Sequence, residues 1–269
     1  MIILPTFLVI GAMKAGTTSL YHYLDSHPEI CMSAEKEPNY FLGGEEYKKG
    51  IARYSSLFKK NDAVAYGEAS TNYSKRHRYE GVPARIYKDI PKVKLIYIVR
   101  DPIERAISHY IHNVAQGREK KSFAEAVVPD SIYLKTSMYF YQIEEYLKYF
   151  ELNKIMFVES EELLACTEDV LYRIFNFLGV SCNVNIKNIN QRYHISTDKK
   201  AKSLLDNLVH SERIKKLLMS VLPAIMTTNK PIENPIIEEQ QLIDIKAYLK
   251  SDINKFRIIA TENYKNWSI

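Results

Sequence analysis

The sequence predicts an α/β domain, a central parallel β-sheet flanked by helices on both faces. Three observations carry that expectation. Short apolar runs alternate with helix-like segments along the chain. One run, Val93–Val99 (VKLIYIV), is continuous and β-rich, the mark of a strand buried on both faces. Another, starting at Phe7, ends in a glycine turn that leads straight into a helix-like segment. Strands separated by helices imply a parallel sheet.

Taken in order, Phe7–Ile10 is expected as a buried strand and Thr17–Ser26 as a helix ended by His27-Pro28. Ala63–Gly67 is a short strand candidate, and Pro83–Asp89 suits a helix. After the Val93–Val99 strand, Asp101–Gln116 reads as a punctuated helix. Asp101 serves as N-cap, Pro102 as the first helical residue, Glu104 as the far half of a capping box and Gly117 as the stop. A long helix is expected around Met138–Phe150, a strand at Ile155–Val158, and a helix at Glu168–Leu178 closed by Gly179. Asn183–Asp198 is polar and reads as loop. From Ala201 the pattern is mostly helical, with prolines punctuating Thr227–Pro235. With no repeat, low-complexity tract or linker, residues 1–269 are expected to form one domain.

The composition, 46% hydrophobic and 26% charged over 269 residues, allows a sizeable core without a disulfide or metal staple. Cys31, Cys166 and Cys182 form no C-x-x-C pair and are expected to be reduced thiols in a cytoplasmic protein, with no structural zinc. The apolar start MIILPTFLVIGA lacks a basic n-region and is read as a core strand rather than a signal peptide. No run approaches the length of a membrane span. The net charge of +5 says little about partners, but Lys187–Lys216 alone holds eight Lys/Arg against three acids. Most of these are read as a solvated face, with part of the segment covering a polyanionic ligand. No basic-aromatic module points to nucleic acid.

The most informative stretch is Phe7–Ser19, FLVIGAMKAGTTS. A loop opening onto a helix N-terminus aims backbone N–H groups at an anion, and the helix dipole adds positive potential. Gly11 and Gly16 keep the spacing of the nucleotide-binding pattern G-x-x-x-x-G-K-[ST]. Thr17-Thr18, however, stand where Lys-Ser/Thr would be, and the lysine has moved inside the loop to Lys14. The cradle is therefore Lys14, Ala15, Gly16, Thr17, Thr18 and Ser19, without the usual lysine and magnesium arrangement. A second constellation is Arg100, at the end of the Val93–Val99 strand, with Ser108 about two turns into the next helix. An arginine fork and a hydroxyl facing one crevice suit a phosphate.

These two motifs together resemble those of sulfotransferases that use 3′-phosphoadenosine-5′-phosphosulfate (PAPS). The cradle resembles the family's 5′-phosphosulfate loop, and Arg100 with Ser108, in RDPIERAISHY, its 3′-phosphate site. The heparan-sulfate-type enzymes and their bacterial relatives are the nearest branch, through Glu37-Pro38-Asn39-Tyr40-Phe41, Gly67-Glu68-Ala69-Ser70, Ser137-Met138-Tyr139 and the pattern Tyr248…Phe256…Trp267. The resemblance implies a P-loop-like fold, PAPS as co-substrate, adenosine-3′,5′-bisphosphate as product and no metal. It implies that Lys14 stabilises charge growing on the bridging oxygen and that Glu37 takes the acceptor proton. Glu68 is the second candidate base. The lysine that often follows it in heparan enzymes is Ala69 here, which weakens the case for a heavily sulfated glycan as acceptor. The loop Asn190–Lys199 matches in position a segment that closes over the 3′-phosphate, with Arg192, His194 and Lys199 as candidate contacts.

The histidines His22, His27, His109 and His112 are read as surface or packing residues. Ser137 and Tyr139 are candidates to reach the nucleotide or acceptor. The acceptor pocket is expected from the loops after Phe41, around Arg76–Arg78 and around Met138–Tyr141. A saccharide or small natural product, hydroxyl rather than amine, is the expected acceptor, in bacterial chemistry. Two other readings stay open: a kinase with a degenerate P-loop, and a non-catalytic nucleotide-binding module.

Overall fold

Among the residues that the computed structural model describes (2–59, 62–184, 234–261 and 264–269), the apolar runs pair into one five-stranded sheet. Its strands are β1 (Phe7–Gly11), β2 (Ile30–Met32), β3 (Ala65–Ala69), β4 (Lys94–Val99) and β5 (Ile155–Glu159). They lie in the order β2-β3-β1-β4-β5, and every neighbouring pair is parallel. Phe7 to Ile10 and Leu95 to Val99 have no exposed surface. Alternate residues of a strand face opposite sides, so both sheet faces are covered, as the continuous apolar runs predict.

The strand order places the site. After β1 the chain goes out to the edge strand β2 and returns to β3 beside β1, then crosses to build β4 and β5 on the other side. The loops after β1 and β4 therefore diverge at a topological switch point, where open α/β sheets leave a crevice at the carboxyl ends of their strands. Packing between strands is close. In the β1–β3 register Phe7 lies opposite Gly67, and a Cβ on Gly67 would sit 2.0 Å from the Phe7 ring.

Several elements match the expected bounds closely: the helices Thr17–Asp25, Val82–Asp89, Pro102–Ala115 and Thr167–Leu178, with Gly179 in the left-handed region at φ 81°. β3 begins two residues later than expected. β2, only three residues long, carries no periodic signal and went unpredicted. The expected long helix at Met138–Phe150 is broken. A helix at Tyr139–Glu144 gives way to a 3₁₀ turn at Tyr146–Lys148, which turns the buried Tyr146 ring inward so that its hydroxyl donates to the Tyr73 carbonyl at 2.9 Å. The start of that short helix is held by Asp252, whose carboxylate accepts the Phe140 and Tyr141 amides at 3.0 and 2.7 Å.

Asp252 belongs to the C-terminal helix Glu239–Ala260. Beyond it Tyr264 and Trp267 stack at 4.3 Å, and the Phe256 ring lies 5.5 Å from that of Tyr139. Of the C-terminal aromatic pattern, Phe256 packs on Phe157 of β5 at 5.2 Å and Trp267 on Tyr139 at 5.7 Å, whereas the Tyr248 hydroxyl donates to Asp130 at 3.3 Å. The basic run Lys187–Lys216, the loop candidates Arg192, His194 and Lys199, and most of the proline-punctuated stretch lie outside the described residues.

Candidate active site

The turn after β1 is built to leave its helix uncapped. Gly16 occupies the N-cap position of Thr17–Asp25 at φ 96°, with no side-chain cap and no acid in the first turn. A glycine is needed there because a side chain at that φ is strained. The orphan amides at the helix start remain for an anion. Lys14 also takes a left-handed backbone, φ 70°, a sparsely populated conformation for a residue with a Cβ and one that concentrates at functional sites. A cavity of about 430 Å³ opens over this turn, within the usual range for a small-molecule site. Lys14, Gly16, Thr17, Thr18 and Ser19 line it. Ala15 does not: its side chain is buried and its amide donates to the Ala12 carbonyl at 3.2 Å. Expected in the cradle, it is instead part of the turn's own framework.

Arg100 and Ser108 line the same cavity, so the structure brings the two anion motifs together. The Arg100 peptide is clasped at both ends by the buried Tyr139 hydroxyl, which accepts from its amide at 3.3 Å and donates to its carbonyl at 2.6 Å. The guanidinium leans on Glu104 at 3.2 Å and Glu161 at 4.0 Å, not on Asp101. Asp101 caps its helix through the Ile103 and Glu104 amides at 2.9 and 3.0 Å. The capping box is not completed as expected. Glu104 serves Arg100, and Glu161 takes its place by accepting the Asp101 amide at 3.0 Å.

Glu37 reaches the cavity from the segment after β2. Its backbone is left-handed at φ 59°, and its amide is tied to the Ala69 carbonyl at the end of β3, at 2.9 Å. Thr71 grips the carboxylate with its amide at 2.8 Å and its hydroxyl at 3.1 Å, and Lys36 Nζ donates at 2.9 Å. The carboxylate is thus oriented while about a third of the side chain stays exposed. Glu68, the second candidate base, has no exposed surface and lines neither this cavity nor its neighbour. Its carboxylate accepts from Tyr54 at 3.0 Å, Tyr73 at 2.6 Å and Ser70 at 2.8 Å. Burial raises its pKa to about 7 against the pull of those three donors. Glu68 is an internal knot between β3 and the aromatic layer, sealed from any acceptor.

A second chamber of about 670 Å³ adjoins the first and shares Met13, Glu37 and Thr71 with it. Arg78 lines it. Arg76 instead pairs with Glu144 and Glu145 and lies 4.5 Å over the Tyr141 ring. Phe41 is wholly buried, and Met138–Tyr141 do not reach the chamber. Ser137 and Tyr139, expected near a ligand, are supports. Ser137 accepts from the buried Arg105 at 2.7 Å and donates to the Pro102 carbonyl at 2.7 Å. His27 is packed against Phe175 as expected. His112 and His109, expected as surface or packing residues, line the first and the second cavity respectively.

Sequence reasoning missed Thr71, Ser160 and Glu161. Ser160 and Glu161 directly follow β5 and line the first cavity; their place at the carboxyl end of a predicted strand was the available signal. It also missed Arg105, which has no exposed surface and hydrogen-bonds the Met13 and Tyr133 carbonyls beneath the anion loop.

The profile of the sulfotransferase domain matches residues 4–219. Heparan sulfate glucosamine 3-O-sulfotransferase 5 of Mus musculus is 32% identical over 202 residues, 69% of this chain and 56% of that protein. Bifunctional heparan sulfate N-deacetylase/N-sulfotransferase 4 of Mus musculus is 31% identical over 206 residues, 68% of this chain and 23% of that protein. The chain thus spans about half or less of the length of these relatives. In fold it is similar to a sulfotransferase from Alicyclobacillus acidocaldarius, with a TM-score of 0.72 at 23% identity over 99% of this chain and 100% of that one.

Proposed function

The chain belongs to the sulfotransferase-domain family, and from that premise we propose that it moves a sulfuryl group from PAPS to a hydroxyl of an organic acceptor. One observation carries the reading: an uncapped helix start with Lys14 and the pair Arg100 and Ser108 line a single cavity, with Glu37 on its wall. A nucleotide carrying anions at both its 5′ and 3′ positions matches that layout.

In this reading the loop Lys14–Ser19 holds the 5′-phosphosulfate, and Arg100 with Ser108 holds the 3′-phosphate. The acceptor enters from the second chamber, across Met13, Glu37 and Thr71. Its hydroxyl oxygen bonds to sulfur while the sulfur–oxygen bond to the 5′-phosphate breaks, and adenosine-3′,5′-bisphosphate departs with the electron pair. Glu37 takes the hydroxyl proton, and Lys14 neutralises charge on the departing oxygen. Thr71 sets the carboxylate's direction through its two hydrogen bonds. The acceptor is a saccharide or small natural product. The three free thiols support a reducing, cytoplasmic setting. No described helix is long and apolar enough to cross a membrane.

The test is thermal stabilisation followed by transfer. Adenosine-3′,5′-bisphosphate is expected to raise the melting temperature where ATP with magnesium does not, and radiolabelled PAPS should yield a labelled acceptor from a panel of hydroxylated metabolites. Stabilisation by ATP and not by the bisphosphate would overturn the reading in favour of a kinase.

A further inference from the structure

The segment that carries Glu37 is strained. Glu37 at φ 59° and Asn39 at φ 56° both hold a left-handed backbone, although neither is glycine. Such conformations persist only where the surroundings over-determine them. The Glu37 amide is tied to the Ala69 carbonyl, and the Asn39 side chain donates to the Glu37 carbonyl at 2.7 Å. Two hydroxyls hold the rest of the segment. The Asn39 amide donates to Ser70 Oγ at 3.1 Å, and the Phe41 amide donates to Tyr73 Oη at 3.3 Å.

One buried group aims both hydroxyls. Ser70 donates to Glu68 Oε2 at 2.8 Å, and Tyr73 donates to Glu68 Oε1 at 2.6 Å. An ionised carboxylate accepts hydrogen bonds and donates none. It draws both hydroxyl hydrogens inward and leaves the oxygen lone pairs for the two amides. A carboxamide of the same shape cannot do this. Its NH₂ end would present hydrogens to Ser70 or to Tyr73, and that arm would have to reverse. Tyr54 donates to the same carboxylate at 3.0 Å but stands outside the two arms. Burying a carboxyl group is costly, and Glu68 lines neither cavity, so the transfer chemistry itself does not account for it.

Resting on the reading of Glu37 as the base, we propose that Glu68 is a positioning residue for the transfer. Through Ser70 and Tyr73 its carboxylate pins the Asn39 and Phe41 amides, and so fixes the segment that carries Glu37 at the wall between the chambers. A base must lie within hydrogen-bond reach of the proton it takes, so slack in this segment should show in turnover and not in nucleotide binding.

The experiment is amide hydrogen–deuterium exchange on the full chain, read residue by residue by mass spectrometry from millisecond mixing onward. It is run at pH 8, above the Glu68 pKa of about 7. Each variant is also assayed for kcat and KM in PAPS consumption, with the acceptor that the metabolite panel labels best, or with water where none is labelled. Glu68→Gln is expected to speed exchange at the Asn39 or the Phe41 amide about tenfold, the scale of one lost hydrogen bond. Its kcat should fall about fivefold or more while the KM for PAPS stays unchanged. Ser70→Ala should release the Asn39 amide and Tyr73→Phe the Phe41 amide, each with part of the kcat loss, and these losses should not add to that of Glu68→Gln. The two single-arm variants decide the matter even where Glu68→Gln does not fold. Tyr54→Phe, which removes a donor to the same carboxylate outside the arms, should leave both amides and kcat within about twofold of the parent. Unchanged exchange at both amides in Glu68→Gln, equal loosening in Tyr54→Phe, or loosened amides with an unaltered kcat overturns the proposal. Full turnover in Glu37→Gln would instead overturn the base assignment, and failure of the unaltered chain to bind adenosine-3′,5′-bisphosphate would overturn the sulfotransferase reading.

Discussion

Replacing Arg100 by alanine is the sharpest probe of the nucleotide assignment, because the structure sets both what is gained and what is given up. The guanidinium is 28% exposed and pairs with Glu104 at 3.2 Å and Glu161 at 4.0 Å. A charge-assisted hydrogen bond to a phosphate contributes about 1.5–3 kcal/mol. Surrendering an exposed carboxylate pair costs about 0–1 kcal/mol. The net loss on truncation is therefore about 0.5–3 kcal/mol, a roughly 2- to 150-fold rise in the dissociation constant of adenosine-3′,5′-bisphosphate. Calorimetry reads it directly, with adenosine 5′-monophosphate as the internal control. That ligand lacks the 3′-phosphate, so its affinity should not move in Arg100→Ala. Glu104→Gln releases a competitor and should tighten the bisphosphate by up to about fivefold. An unchanged dissociation constant, or equal weakening of both nucleotides, would refute the placement of the 3′-phosphate at Arg100.

Four further outcomes are expected. Glu37→Gln should lower turnover by about 10²-fold or more while leaving bisphosphate affinity intact, and Lys14→Ala should depress turnover more than binding; wild-type turnover in the first, or equal losses in the second, would remove those roles. Gly67→Ala drives a methyl to 2.0 Å from the Phe7 ring and should cost about 1–3 kcal/mol or more, visible as a lower midpoint in urea; an unshifted midpoint would show that β1 and β3 can separate. Glu68 has a folded pKa of about 7, above its ordinary 4.5. Its contribution to stability is therefore full below about pH 4.5 and lost as pH rises through 7, by about 3 kcal/mol in all. Glu68→Gln should flatten that part of the stability profile measured from pH 5 to pH 8, and an identical profile in the variant would place the titration elsewhere.

The parts legible in the sequence are those with local causes. The β1 turn announces itself by Gly11, Lys14 and Gly16, and the Pro102–Ala115 helix by Asp101 and Pro102, because capping and left-handed turns act over a few residues. Arg100 and Ser108 were legible as a pair because strand and helix geometry alone bring them near. What sequence reading missed is long-range. Glu161 completes the cap of a helix sixty residues earlier in the chain. Thr71 aims Glu37 from across the β2–β3 boundary, and Arg105 braces Met13 from below. Thr71 has no periodic or motif signal, Glu161 has only its place after a predicted strand, and Arg105 stands inside RDPIERAISHY with nothing local to mark its role, since each partner arrives only when the sheet closes. Glu68 misled because its neighbours in sequence resemble a site, while its burial is set by Tyr54 and Tyr73, which fold over it from separate segments.

Met13, Glu37 and Thr71 form a party wall between two rooms. Among the described residues, every other group lining either room belongs to one room alone. Inheritance can therefore redecorate one side without disturbing the other. If the proposed transfer is right, changes at positions 75, 78 or 118 of the second chamber would retune which alcohol is dressed with sulfate, and the residues of the first would pass unaltered from one specificity to the next.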